Sequence, residues 1–442
     1  MTDSASLPDG TESQRPRWNW NTLFRGDFNR SSYNACVGNN GGPDIYYYAD
    51  GYAESVNLLI NSITSGNGTL DTLIYPICFS LRHSVELTVK AQIQDLCRLA
   101  TIREQPLASA NEIERVLNQH DILNLWDFYC RHAIASDRRY RDLVTKTEPL
   151  IRCIGETDAT GQTFRYSYST DAQKHLTDVS LINVLVLREQ FQVIRENLET
   201  LTGLTDYLRR EYRTGTFTRR LNREDLMAIA EQLPLRQTWG METSGFTEIK
   251  NSLKISFGIG SRELSEAITK IEACRDMARL IGISANVPGL SVADLNMLND
   301  FWKMAWNRNV LERDERDASA AVLVQPAVMT QITDIELQAR KDPKASLASF
   351  RQWATVEKLA GLQALMDSGG FIFCEEHDRR YKECLAQMTE ELAASPVGFD
   401  EEISEIWART IGRPGYPDRI TERLKRAGFS DEADSLSVNL VS

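Results

Sequence analysis

The sequence predicts an all-α protein, and three observations support this fold class. Apolar residues recur at intervals of three and four along most of the chain, which is the period of helices with one buried face. Helix stop signals such as Ser65-Gly66-Asn67-Gly68 separate these stripes. The alternating pattern of strands occurs only in short segments. We therefore expect helical domains with at most a few short strands.

Composition and charge restrict the class of protein. The 442 residues favour two or three domains. With 50 basic and 62 acidic residues the net charge is −12, so the chain as a whole is a poor candidate for coating nucleic acid non-specifically. The polar first residues do not resemble a signal peptide, and no apolar run is long enough to cross a bilayer. We expect a cytoplasmic protein without a membrane span.

The eight cysteines contain no C-x-x-C pair. Structural zinc sites are usually built from such pairs, and disulfide frameworks belong mainly to small secreted proteins. The sequence therefore predicts reduced thiols, no metal and no cofactor.

Residues 1–44 are predicted to form an N-terminal arm. Residues 1 to about 17 lack apolar content, so we expect disorder there. The aromatic side chains that follow stand in a polar background without periodicity, and they are Trp18, Trp20, Phe24, Phe28 and Tyr33. Two interpretations stay open: a strap that packs these aromatics on its own domain, and a segment that docks onto a partner.

Residues 45–215 are predicted to form the first helical domain. We expect an amphipathic helix up to Ser65, a central buried helix over about 72–99, a helix that begins near residue 120, and another over about 137–153.

Two further features complete this domain. Alternating aromatics over 164–168 predict a short extended piece. A long helix over about 178–212 carries a continuous apolar seam, from Leu181 to Tyr212, which fits either intramolecular packing or a dimer contact.

Residues 216–442 are predicted to form a second helical domain. Asn222 with Asp225, and Ser291 with Asp294, have the spacing of capping boxes at helix starts. The segment SLKISFGIG at 252–260 alternates apolar and polar residues and predicts a strand.

The central helix of the first domain carries a group of polar residues. Arg82, Glu86 and Lys90 share one i,i+4 row, and His83 lies beside them. Charges on a helix this apolar must be paired or must face a cleft. One interpretation is a buried Arg82–Glu86 pair that fixes helix packing. The other is a catalytic site of Arg82, His83 and Glu86, in which His83 titrates near neutral pH.

Arg115 and His120 are a second catalytic candidate, with four residues between them. In metal-free RNA cleavage a histidine can move protons at the 2′-hydroxyl or the leaving oxygen, while an arginine stabilises the charge on phosphorus. The alternative is that His120 and Asp121 cap the next helix, since this spacing is common by chance.

An arginine cluster interrupts the acidic sequence near the domain boundary. Guanidinium groups suit phosphates, and interleaved aromatics suit bases. A solvated linker or an intramolecular salt-bridge face is the alternative interpretation. The candidate nucleic-acid- or phosphate-binding residues are Arg209, Arg210, Arg213, Arg219, Arg220 and Arg223.

The segment LIYPICFSLRHSVEL at 73–87 resembles a helix of bacterial HEPN-like proteins. Segments 120–126 and 164–167 and the long helix after Asp178 fit the same pattern in order, so the resemblance covers about residues 45–212. It implies a helical bundle, often dimeric and frequently encoded in phage-defence or toxin–antitoxin operons.

The resemblance also bears on catalysis. Catalytic HEPN-like proteins cleave RNA with an arginine and a histidine spaced as Arg115 and His120 are, usually across a dimer interface. Val116 departs from the family, in which a polar residue is common at that position. Many members are inactive binding or scaffold modules.

The leading functional hypothesis is a cytosolic, defence-associated HEPN-like protein that acts as a metal-independent ribonuclease or as an RNA- or nucleotide-binding component. The Arg115–His120 spacing and the arginine cluster favour it. The alternative is a non-catalytic interaction or scaffold subunit of a multiprotein defence complex, which the acidic charge and the aromatic arm favour.

The apolar seam and the resemblance together predict a homodimer, or a place in a larger complex, rather than an isolated monomer. Light scattering of the purified protein at micromolar concentration should give twice the 50.1 kDa chain mass. A clean species at the mass of one chain would contradict the dimer and remove any composite site that needs two copies of His120.

Overall fold

The computed structural model describes residues 22–42, 44–166, 179–241, 245–308, 311 and 336–441. The chain divides into two compact units, Met1–Asp206 and Tyr207–Ser442. Across these described ranges the structure is helical, and its one extended pairing is an isolated antiparallel bridge between Trp306 and Arg340. The predicted all-α class is confirmed. Within the same ranges no helix has both the length and the apolarity needed to cross a membrane.

Unit 1 is built around its second helix. Its helices are α1 (Ile45–Thr64), α2 (Leu70–Ile102), α3 (Ala110–Asn118), α4 (Ile122–Ser136), α5 (Tyr140–Asp158) and α6 (Val184–Arg213), the last of which continues past the unit boundary. α2 packs against α1 and α4. It buries apolar residues such as Ile93 together with polar ones such as Arg82, Glu86 and Gln92, which confirms the predicted central buried helix.

The apolar seam of α6 is covered by the chain itself. Its buried members include Phe191, Ile194, Leu198 and Leu208. Intramolecular packing is therefore the interpretation that the structure supports for this part of the seam. α6 begins later than predicted, and Leu181 lies before the helix and is exposed.

Two predicted extended segments are wrong. Residues 252–257 belong to helix α8 (Phe246–Phe257), in which Leu253 is buried and Ile255 is exposed. Alternation over a few residues does not distinguish a strand from a short helix. Residues 163–165 form a turn in which the N–H groups of Arg165 and Tyr166 donate to the Gln162 carbonyl. Tyr168 lies outside the described residues.

Unit 2 contains a succession of shorter helices. They are α7 (Arg223–Ala230), α8 (Phe246–Phe257), α9 (Ser261–Ala273), α10 (Arg275–Ala278), α11 (Val292–Ala305), α12 (Pro343–Trp353), α13 (Val356–Asp367), α14 (Cys374–Ala394), α15 (Pro396–Arg409), α16 (Tyr416–Arg426) and α17 (Ser430–Val441). One apolar core gathers α7 to α10 with Cys374 of α14, and a second gathers α11 to α17. Both predicted capping boxes are confirmed, at Asn222 and at Ser291.

The described part of the arm presents its aromatics to solvent. The Asn34 side chain closes a short helical turn at Phe28–Tyr33, since its oxygen accepts from the Asp27 N–H and its amide nitrogen donates to the Asp27 carbonyl. Phe24, Phe28 and Tyr33 are 75%, 87% and 88% exposed. A strap packed on its own domain is therefore wrong for these three residues. Residues 1–21, including Trp18 and Trp20, lie outside the described residues.

Asp294 joins three helices of unit 2. Its carboxylate accepts hydrogen bonds from Ser291 at the start of α11 and from Nε1 of Trp353 in α12, at 2.8 Å for the latter, and pairs with Lys358 Nζ in α13 at 2.9 Å. Burial alone would raise its pKa, but the bonds from Ser291, Lys358 and Trp353 lower the pKa of Asp294 to about 2.

We predict that Asp294→Ala lowers the free energy of unfolding of unit 2 by ~2–4 kcal/mol, because it leaves the Trp353 donor without its acceptor and removes half of the capping box. Ser291→Ala should cost only ~1 kcal/mol, since the carboxylate keeps its other partners. Urea denaturation followed by tryptophan fluorescence measures both. The control is Asp300→Ala at an exposed position of the same helix, and equal effects for all three variants would contradict the prediction.

Candidate functional site

A buried carboxylate brings together the polar residues of unit 1. The side chain of Glu86 is only 2% exposed, yet four basic side chains surround it, namely those of Arg82, Lys90, His83 and His120. Oε1 lies 2.8 Å from Nδ1 of His120 and 2.9 Å from Nζ of Lys90. Oε2 pairs with the guanidinium of Arg82, and Nδ1 of His83 lies 3.8 Å away. The structure thus unites Arg82, His83 and Glu86 with His120.

Arg82 holds this cluster in place. Besides Glu86, its guanidinium donates to the carbonyls of Asp158 at 3.1 Å, Ala159 at 2.7 Å and His120. It therefore ties α2 to the end of α5 and to the segment between α3 and α4. The turn that follows α5 passes over the guanidinium, and Gly161 adopts φ +79° there, where a Cβ would lie 3.2 Å from Arg82. Arg82 is a positioning residue, because its donors are occupied by protein oxygens.

Glu86 is ionised in the folded protein. Burial favours the neutral acid, but His83, Lys90, His120 and the charge of Arg82 together hold the pKa of Glu86 well below its ordinary value of 4.5. An isolated charge at this depth would be costly, and the surrounding cations are what make it tolerable.

The carboxylate fixes the orientation and tautomer of His120. An ionised carboxylate can only accept hydrogen bonds, so Nδ1 of His120 carries the proton and Nε2 of the neutral ring carries a lone pair. The His120 side chain is 68% exposed. Asp121, not His120, caps α4 by accepting from the N–H groups of Leu123 and Asn124. The side chain of His120 therefore does not cap α4, which was the structural alternative to a catalytic role.

Aromatic rings and a cation lie beside His83. His83 stacks on Phe79 with ring centres 5.5 Å apart and meets the edge of Tyr52 at 4.6 Å. The guanidinium of Arg165 lies 5.4 Å from the Phe79 ring and the same distance from Tyr166. Arg165 and Tyr166 are exposed. This surface offers a ring face and a positive charge next to a group that can move a proton.

Arg115 does not join the cluster. It lies in the last turn of α3, a helix that the sequence pattern did not predict, and its side chain is exposed. The described residues give it neither a hydrogen bond nor an ion pair. Its role with His120 stays a prediction that rests on spacing.

The arginine cluster makes contacts within unit 2. Arg210 pairs with Glu376 at 2.9 Å and donates to the Gly370 carbonyl. Arg220 donates to the Gly258 carbonyl, and Arg223 is buried against Glu375 and Asp276. Arg213 and Arg219 are exposed. These contacts favour the intramolecular salt-bridge interpretation for part of the cluster, and phosphate binding stays a prediction.

A cleft in unit 1 and a group of possible metal ligands in unit 2 are two further features of the structure. A cleft of about 440 Å³ lies between α1, α2 and α6, where Arg195 faces Asp50 and Glu199 at 3.7 and 3.4 Å. Neither His83 nor His120 lines this cleft, so the cleft and the Glu86 cluster do not coincide. Among the described residues one group suits a metal ion, namely Cys274, Asp276 and Cys374 in unit 2.

Comparisons of the chain with protein-family models, with curated proteins and with solved structures give no match. The likeness to HEPN-like proteins therefore stays a resemblance carried by the segments quoted from the sequence.

We predict that Glu86→Gln lowers the free energy of unfolding at neutral pH by ~3 kcal/mol, because it leaves Arg82 and Lys90 buried without their counter-charge. A carboxyl with a depressed folded pKa stabilises the protein above its unfolded pKa, and this contribution is lost as the pH falls below 4.5 toward the folded value.

Urea denaturation at a series of pH values tests this prediction. The wild type should lose stability below pH 4.5 more steeply than Glu86→Gln, which lacks the titrating group. Glu114→Gln, at an exposed position of α3, is the matched control and should follow the wild type. Identical pH profiles for wild type and Glu86→Gln would show that the carboxylate is not held in its charged form.

Proposed function

We propose that unit 1 is a HEPN-like, metal-independent endoribonuclease in which His120 transfers protons. The observation that carries the proposal is the exposed His120 ring held by the buried, ionised Glu86. A histidine oriented through one nitrogen by a carboxylate, with the other nitrogen open to substrate, is the arrangement of a general base.

The cleavage chemistry follows from the tautomer. Nε2 of His120 accepts the proton of a ribose 2′-hydroxyl, and the oxygen attacks the adjacent phosphorus. The bond from phosphorus to the 5′-oxygen breaks, and that oxygen takes up a proton. The protonated form of His83, on the other oxygen of Glu86, is the candidate donor of this proton, and the proton that His120 takes up restores the balance when it is passed back to His83 through solvent. The products are a 2′,3′-cyclic phosphate and a free 5′-hydroxyl.

The surroundings favour a single-stranded RNA substrate. Unpaired bases stack on aromatic faces and on guanidinium planes, whereas paired bases in A-form helices do not expose their faces. The exposed side chains of Tyr166 and Arg165 supply such surfaces, and Arg165 lies over the Phe79 ring on which His83 stacks. Arg115, which is exposed and makes neither a hydrogen bond nor an ion pair among the described residues, is the candidate for a phosphate contact on the grounds of its spacing from His120. In this proposal the protein is a cytoplasmic, defence-associated homodimer or part of a larger complex.

A non-catalytic interaction subunit is the second candidate. The exposed aromatics of the arm favour it, since Phe24, Phe28 and Tyr33 form an apolar patch on a locally ordered segment. Large exposed apolar patches commonly mark protein–protein contacts. A protein with this role would keep the Glu86 cluster for packing alone.

We predict that His120→Ala reduces cleavage of single-stranded RNA by ~10²–10⁴-fold, the usual cost of losing a general base. Cleavage by the wild type should proceed in the presence of a chelator and should leave cyclic-phosphate ends, which gel analysis and end-specific ligation detect. His83→Ala should slow the reaction to a smaller extent if water replaces it as proton donor.

The matched control is His132→Ala, because His132 lies on α4, packs against Phe128 with ring centres 4.2 Å apart, and makes no contact with Glu86 among the described residues. This variant should cleave as the wild type does. RNA that stays intact with wild-type protein under all these conditions would eliminate the ribonuclease and leave the interaction subunit as the better hypothesis.

A further inference from the structure

Two cysteines that are a hundred residues apart in sequence meet in unit 2. Sγ of Cys274 and Sγ of Cys374 lie 3.8 Å apart. Cys274 occupies the extended break between α9 and α10, and Cys374 is the first residue of α14. Both are buried, and neither forms a disulfide. Asp276 places a carboxylate in the same group, and Oε2 of the neighbouring Glu375 accepts from Cys374 Sγ at 3.4 Å.

We infer that this group binds a zinc ion through Cys274, Cys374 and Asp276, with a water molecule in the fourth position. Two sulphur ligands at ~2.3 Å from a tetrahedral zinc lie about 3.8 Å apart, which is the separation found. The ligand atoms of the three residues all lie within 4.8 Å of one another. Two thiolates and one carboxylate form a donor set that zinc accepts.

The charges of the site are compatible with a dication. Arg223 donates from Nη1 to Glu375 at 2.6 Å and approaches Cys274 Sγ at 3.2 Å and Asp276 at 3.3 Å from Nη2. One positive charge thus faces two carboxylates and two ionisable thiols. Zinc binding deprotonates thiols, and the resulting negative charge exceeds what Arg223 alone can balance. The Arg223 N–H groups then act as hydrogen-bond donors to the metal-bound thiolates.

The structure around the group is suited to a metal site. The sulphurs lie on the buried side, while the Asp276 side chain is 37% exposed and gives an ion a way in. Gly428 passes close by with φ +82°, and a Cβ there would lie 2.9 Å from Asp276 and 3.2 Å from Cys374. Arg275 fixes the backbone by donating to the carbonyls of Cys374 and Ala427. Bound zinc would join the α9–α10 break to the start of α14.

Metal content and cobalt substitution test this site, independently of ribonuclease activity. Full-length protein, purified with reductant and without a metal-affinity tag, should contain about one zinc per chain by mass spectrometry. After removal of zinc by a chelator, added Co²⁺ should give the near-ultraviolet thiolate-to-cobalt absorption and saturate at one equivalent. Zinc should abolish the band and raise the melting temperature.

Matched variants identify the ligands. Cys274→Ser and Cys374→Ser should each reduce the cobalt band at least tenfold. Cys384→Ser, at a buried cysteine of the same helix α14 that lies outside the group, should keep it. A wild-type protein that holds no zinc and gives no cobalt band overturns the inference, as does a band that survives both ligand variants.

Discussion

The buried carboxylate of Glu86 is the constraint on which the proposed site of unit 1 depends. A carboxylate with 2% exposure is tolerated only when cations and donors replace its water. Arg82, Lys90 and His120 meet this requirement from α2 itself and from the segment before α4. The need to neutralise one charge therefore determines where His120 lies and which of its nitrogens carries a proton. The interactions of Glu86 both fix the packing of α2 and hold the histidine of the proposed site. A packing role and a catalytic role for the Arg82–Glu86 pair are therefore compatible.

Strong local signals in the sequence predicted the helices and their caps correctly. The buried α2, the cap at Asp121 and the capping boxes at Asn222 and Ser291 follow from periodicity and from fixed short spacings. The i,i+4 row of Arg82, Glu86 and Lys90 also predicted the core of the site, because helix geometry alone makes those side chains neighbours. The strand at 252–260 failed because its alternation was too short to exclude a helix.

The rest of the site depends on tertiary contacts that no local pattern encodes. His120 meets Glu86 across 34 positions of sequence, and Arg82 meets the Asp158 carbonyl across 76. Carbonyl oxygens are present at every residue, so their convergence on Arg82 has no sequence signature. Phe79 and Tyr52 have the appearance of ordinary core aromatics until their contacts with His83, stacked for Phe79 and edge-on for Tyr52, are known. Cys274 and Cys374 show the same limitation, since a search for C-x-x-C pairs cannot detect ligands that only folding brings together.

The acidic chain limits how RNA can reach the proposed site. A net charge of −12 repels a polyanion at long range, but at physiological salt this repulsion is screened beyond about 8 Å. Attraction must therefore come from contacts within that distance, such as base stacking on Tyr166 and Arg165 and a phosphate contact at Arg115. Binding of this kind differs from that of a basic protein, whose affinity falls steeply as salt rises because many counterions are released. With so few ionic contacts, RNA binding at the proposed site would depend only weakly on salt, and stacking on Tyr166 and Arg165 would select unpaired bases.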